Sequence, residues 1–306
     1  MSSRSLILAA HGSVAAADSN QPLFDLTQAI ARHGSFDVVT PAFLMGEPLM
    51  TNVLDGLPSG MKIPPGDVVI VPVMTSEGYY LKKLPSMFAQ NQDADRYRLF
   101  MTRVIGVHDS IAQRIGDRIV GIIDEHQLSP DQTTVAIIGH GTRRNKNSGT
   151  STLQLTQRLR ELMSREVSGR SFSELKFETA FLDQDPEAEL VAQSIQTPNT
   201  IIIPFLISRG PHTTDDVPNA FGLPAGADLQ FPFVQQQTNG VCVYDSPLAM
   251  YQGIDELCIE LANQELATGV PIDLPGATEP TATATPQDDP SGSTGSTESL
   301  SQGAAL

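Results

Sequence analysis

Three stretches of the chain's first half recur, in the same order, in its second half. Leu8–Ser13 (LAAHGS) parallels Ile138–Thr142 (IGHGT), and Ala42–Pro48 (AFLMGEP) parallels Ala180–Pro186 (AFLDQDP). Val69–Gly78 (VIVPVMTSEG) parallels Ile201–Gly210 (IIIPFLISRG). Collinear matches at a nearly constant offset mark an internal duplication, so the second half must repeat the fold of the first. Around these matches, short apolar runs rich in β-branched residues alternate with amphipathic stretches. Leu6–Ala10, Phe36–Leu44, Val68–Met74 and Tyr97–Ile105 are apolar on both faces, as buried parallel strands are. Asn20–His33, closing on Gly34, has helical period. A second helix starting at Asp109 or Ser110 sets Ile111, Ile115, Ile119, Ile122 and Ile123 on one stripe. In the second half the strands fall at Thr134–Gly139, Leu175–Leu182, Thr200–Ile207 and Val241–Tyr244. The helices there fall at Thr150–Arg165, Asp185–Ser194 and Pro247–Leu266. The expected fold is α/β: two similar doubly wound parallel-sheet domains.

The boundary between halves falls near Ser129-Pro130, giving expected domains of residues 1–128 and 129–268. From about Pro271 the composition shifts to Pro, Thr, Ser, Gly and Asp without Lys or Arg, so residues 269–306 read as a disordered acidic tail. A formal charge of −16 argues against nucleic acid as partner, because phosphate binding wants a basic surface. The two cysteines, Cys242 and Cys258, match no metal or redox spacing and read as buried thiols in a reducing compartment. The apolar run Leu6–Ala10 is too short for a signal-peptide core, and no run is long enough to span a bilayer. A cytoplasmic protein is expected.

Ligands of open α/β sheets bind outside the carboxyl ends of the strands, and all three repeated segments are strands with their exit loops. In the second half that edge collects His140, Asp183 and His212. Two imidazoles and a carboxylate there would suit Fe²⁺, Co²⁺, Ni²⁺ or Zn²⁺, with positions left open for a ligand. Singly, a histidine in a loop is more often structural, and Asp183 could simply cap the helix that follows it. In the first half His11 is matched, but Met45 stands at the place of Asp183, and Tyr79 or Tyr80 at that of His212. That set is poor for a borderline metal, so the first half reads as a degenerate copy walling the cleft. Arg32-His33-Gly34 sits at a helix end rather than after an N-terminal strand, so it reads as a helix C-terminus and not a phosphatase triplet. Gly139–Gly149 lacks the Lys-Ser/Thr ending of a P-loop. His108 and His126, flanking a helix, read as structural, and Asp215 and Asp216 as either a metal funnel or helix caps.

Ile138–Arg143 (IGHGTR), Ala180–Asp183 (AFLD) and Pro204–Pro218 (PFLISRGPHTTDDVP) resemble the hallmark segments of the sirohydrochlorin cobaltochelatase/ferrochelatase family, the CbiX type of class II chelatases. The first half resembles it through Ala10–Ser13 and Glu77–Tyr80, and the likeness covers most of residues 5–265 in the fused, two-half form. The resemblance implies His140 and His212 as metal-holding and proton-removing residues, with Asp183 assisting where the family usually has Glu. It implies a lyase with no resident cofactor, taking cobalt or iron (or nickel) as substrate for cobalamin or sirohaem synthesis. Fusion of the halves is compatible with a monomer.

The chemistry agrees. A neutral imidazole, with an ordinary pKa of about 6.5, both ligates a divalent ion and accepts a proton near neutrality. The polycarboxylate ring needs local cations. Arg143, Arg144, Lys146 and Arg209 flank the histidines, and Lys82 and Lys83 are either a further contribution or plain surface. The alternatives are a non-catalytic metal or tetrapyrrole carrier on the same fold, and a phosphate-handling hydrolase.

Overall fold

In a computed structural model, residues 2–14, 19–142, 149–167 and 170–275 are described. The first half runs β1 (Ser3–Ala10), α1 (Gln21–Arg32), β2 (Val38–Phe43), β3 (Gly66–Pro72), α2 (Tyr79–Phe88), β4 (Arg98–Met101) and α3 (Asp109–Glu125). The second half opens with β5 (Thr133–Gly139) and α4 (Thr150–Met163), then a small hairpin of β6 (Glu166–Val167) and β7 (Arg170–Ser171). It continues with β8 (Lys176–Phe181), α5 (Ala188–Ser194), β9 (Asn199–Pro204) and α6 (Val217–Ala220). The last elements are β10 (Phe233–Gln237), β11 (Gly240–Tyr244) and α7 (Ile254–Thr268).

The duplication is visible in the strand order. The first sheet is β2-β1-β3-β4, all parallel; the second is β8-β5-β9-β11 in the corresponding order, with β10 added antiparallel to β11. Even the exit loops repeat. Leu44 and Met45 donate backbone N–H groups to the carbonyls of Ala10 and His11, as Leu182 and Asp183 do to those of Gly139 and His140. Glu47-Pro48 and Asp185-Pro186 are both cis.

Strands β1, β3, β5 and β9 are buried nearly throughout because both of their faces are covered. Leu6 and Leu8 of β1 and Val135 and Ile137 of β5 face one central core, which also takes in α1, α3, α4 and α7. Ile7 and Ala9 face an outer core closed by α2, and Ala136 and Ile138 one closed by α5 and α6. The two sheets therefore sandwich a common helical layer, and residues 1–275 form one compact unit. α7 packs on β3 and β4 of the opposite half, and α3 on α4. Arg118 of α3 pairs with the buried carboxylate of Asp245, just past β11, at 3.0 Å, and the Tyr251 hydroxyl donates to the same carboxylate at 2.8 Å. His33, at the end of α1, pairs with Asp255 of α7 at 3.0 Å.

The packed chain runs further than the composition suggests. Ile272 donates its N–H to the Leu99 carbonyl at 2.7 Å, and Ile272 and Leu274 pack against the first half's outer core. The expected disordered tail beyond Pro275 lies outside the described residues. Among the described residues no helix is long and apolar enough to cross a membrane.

Candidate active site

The order 2-1-3-4 places a topological switch point between the first and third strands of each half, where the chain leaves in opposite directions and a crevice opens. In the second half those strands are β5 and β9. His140 follows β5 directly, and His212 opens the turn beyond β9. Their rings meet edge to face, with centroids 4.6 Å apart and planes at 86°. The Nε2 atoms stand 3.2 Å from one another. Both side chains are about half exposed, at 45% and 49%.

Local structure sets each ring. Gly141, at φ +69°, lets the chain turn sharply behind His140, and a Cβ there would lie 2.6 Å from Gln184. His140 Nδ1 lies 2.7 Å from the Gly141 carbonyl, with an Asp183 carboxylate oxygen 3.7 Å away on the same side. His212 begins a π-helical turn, His212–Asp216. Its buried core is Thr213 and Thr214, whose backbone N–H groups donate to the Gly210 carbonyl. The Tyr244 hydroxyl, kept protonated by burial, donates to the Thr213 carbonyl at 2.8 Å. His212 and Asp216 project from this anchored turn, and His212 Nδ1 meets the Asp216 carboxylate at 2.6 Å.

The carbonyl of Gly141 and the carboxylate of Asp216 are acceptors only, so in the neutral state each imidazole carries its proton on Nδ1. Both Nε2 atoms then carry an unprotonated lone pair 3.2 Å apart, an arrangement that favours a cation shared between them. With ligand distances of about 2.1 Å, a 3.2 Å separation corresponds to an angle of about 100° at a shared ion.

The structure thus brings His140 and His212 together and puts Asp183 beside His140 on the Nδ1 side. Arg209 lies over the Phe231 ring at 5.6 Å and donates to the Ala227 carbonyl. Arg143, Arg144 and Lys146 lie outside the described residues. Sequence reasoning left Asp216 between two roles, although its spacing four residues after His212 is a usable signal. Asp215 instead accepts from the Thr214 hydroxyl at 2.6 Å. His108 caps α3, its ring accepting the Ser110 N–H.

In the first half the matching place is taken by His11 and Tyr80, also edge to face, with centroids 4.9 Å apart. His11 Nδ1 lies 3.0 Å from the Gly12 carbonyl, and Gly12 repeats the positive φ of Gly141. Tyr80 rather than Tyr79 therefore stands in for His212.

The sequence profile described as CbiX matches the chain twice, over residues 5–121 and 134–265. A protein of Halobacterium salinarum named a probable sirohydrochlorin cobaltochelatase is 28% identical over 236 residues, 70% of this chain and 75% of its own. Two solved structures are similar in fold. One is a Deinococcus radiodurans multi-domain protein described as resembling chelatases (TM-score 0.62, 19% identity), with 86% of this chain aligned to 55% of it. The other is the sirohydrochlorin chelatase SirB of Bacillus subtilis subspecies spizizenii in complex with cobalt (TM-score 0.58, 14% identity), covering 87% of this chain and 96% of that one.

Proposed function

Because the chain belongs to the CbiX family across both of its halves, we propose that it is a sirohydrochlorin chelatase, a lyase that inserts cobalt or iron into the metal-free ring. The second half carries the chemistry. The observation that supports this reading most is the facing Nε2 pair, 3.2 Å apart with both Nδ1 atoms engaged behind it.

His140 and His212 receive the divalent ion on their Nε2 atoms. Asp216 holds the His212 tautomer, and Asp183 supplies negative charge behind His140, so each imidazole stays a good donor. Half-exposed rings leave the other coordination positions open, so the ion is held loosely enough to pass on. Insertion exchanges one M²⁺ for two pyrrole protons, and the net charge of the ring is unchanged. As the ion moves to the ring nitrogens the vacated Nε2 atoms are free to take up those protons. Arg143, Arg144 and Arg209 meet the ring's carboxylates. The enzyme works in the cytoplasm, in keeping with its two free, buried cysteines, and the fusion of its halves suits a monomer.

An anaerobic assay of the purified chain with sirohydrochlorin and Co²⁺, Fe²⁺ or Ni²⁺ in turn, followed by absorbance, tests the proposal. Metallation well above the uncatalysed rate is expected with at least one of cobalt and iron. Tight binding of the ring without any metallation would instead mark a carrier.

A further inference from the structure

The first half's copy of the site has lost its metal-binding set, yet its surface is not ordinary. Among the described residues, Val14, Met45, Tyr79 and Tyr80 are large apolar side chains left exposed, and all four lie just beyond the carboxyl ends of β1, β2 and β3. Exposed apolar side chains clustered this way mark a binding surface more often than chance. Three of the rings here are ordered against one another. His11 packs on Tyr80 at 4.9 Å, Tyr80 on Tyr79 at 5.6 Å, and the Lys83 ammonium sits 5.4 Å from the Tyr79 centroid. The result is a row of rings ending in a cation, on a protein whose formal charge is −16.

The strand-end surface that carries this row approaches the candidate active site at the start of α1. Ser13 and Asn20 exchange two hydrogen bonds of 3.0 Å, tying the loop after His11 to the start of α1. Next to Asn20, the Ser19 hydroxyl lies 3.7 Å from where a Cβ on Gly210 would stand, two residues before His212. The exit loop of β1 therefore borders the loop that carries the second metal-facing histidine.

We infer that His11, Tyr80, Tyr79 and Lys83 form a docking platform for a flat, conjugated polycarboxylate, on which the metal-free tetrapyrrole lies while the other half delivers the ion. Successive rings stand at 75° to one another, so they offer a planar macrocycle a stacking face flanked by ring edges, and the lysine offers a counter-charge to a carboxylate on its rim. The duplication has thus divided labour between its copies: one kept imidazoles for metal, the other took up aromatic rings for substrate. This inference rests on the chelatase reading for the identity of the ring, and these residues are positioning residues for the reaction.

The test uses the full chain and metal-free sirohydrochlorin, with affinity from calorimetry and KM and kcat from the metallation assay. Tyr79→Ala and Tyr80→Ala should each weaken binding and raise KM about tenfold, with kcat within about twofold of the parent chain. Tyr80→Phe, which keeps the ring, should bind as the parent does. Lys83→Ala should weaken binding by an amount that shrinks as salt is raised. Unchanged affinity in both alanine variants, beside a parent chain that binds and metallates normally, would overturn the platform and leave the chelatase reading standing. A parent chain that binds the ring without metallating it would overturn the chelatase reading, and the platform would still be judged from the affinities.

Discussion

At the scale of single residues, the site depends on what stands behind each imidazole. His140→Ala and His212→Ala are expected to lose most metallation activity, while His11→Ala, whose ring faces a phenol instead of a second imidazole, keeps much of it. Equal losses of kcat in all three would mean that the halves share the chemistry. Asp216→Asn keeps the size of the side chain but removes the charge that fixes His212. It should cost about 10- to 100-fold in metal affinity or rate, and an unchanged cobalt titration would count against that role. The repeat made His140 and His212 legible, because a duplicated strand end is recognisable in the letters alone. The pairing of His212 with Asp216 was legible only in its spacing of four, because the turn that carries it is π-helical and held by distant groups such as the Tyr244 hydroxyl.

At the scale of elements, most strands and helices were readable because burial on both faces leaves continuous apolar runs. The exceptions have local causes. Helix α2 buries only Leu84 and Phe88 and carries Pro85 within it, so its stripe is too thin to register. Strand β10 runs through Gln235, Gln236 and Gln237, which carry no apolar alternation, and it forms by pairing antiparallel with β11. The last strand of the first half ends at Met101, where Thr102 and Arg103 interrupt the apolar letters before Val104 and a short turn from Ile105. Helix α7 starts at Ile254 and not at Pro247, because Gly253 at φ +79° separates it from a preceding turn. The site turn gives the prediction at this scale. Tyr244→Phe leaves the Thr213 carbonyl without its buried donor and should cost about 1–3 kcal/mol of stability. It should also lower metal affinity by loosening His212, and a variant with parental melting and parental metal binding would refute the turn's dependence on that bond.

At the scale of the whole molecule, the halves are repeats in sequence but share one central core, so unfolding should be a single cooperative transition. Arg118→Ala strands the Asp245 carboxylate between them and should destabilise the whole chain by about 3 kcal/mol in denaturant titration. Resolution into two separate transitions would contradict the shared core. Burial pushes both thiols, Cys242 and Cys258, up to about 12. In the unfolded chain they ionise near the ordinary thiol value of about 8.5, so the unfolded state binds fewer protons above it. Their contribution to stability is therefore full below that pH and is lost as pH rises toward about 12. Denaturation midpoints recorded across this window should fall, and a flat profile would contradict it. What the shared core does for function is to hold two strand ends in register, so that imidazoles 72 positions apart in the chain meet across 3.2 Å. X-ray absorption at the cobalt edge, with sub-stoichiometric Co²⁺ and no tetrapyrrole, reads that meeting directly. Two imidazole nitrogens at about 2.1 Å, falling to one in His212→Ala, are the expected result; a cobalt shell unchanged by that substitution would contradict the shared-ion site.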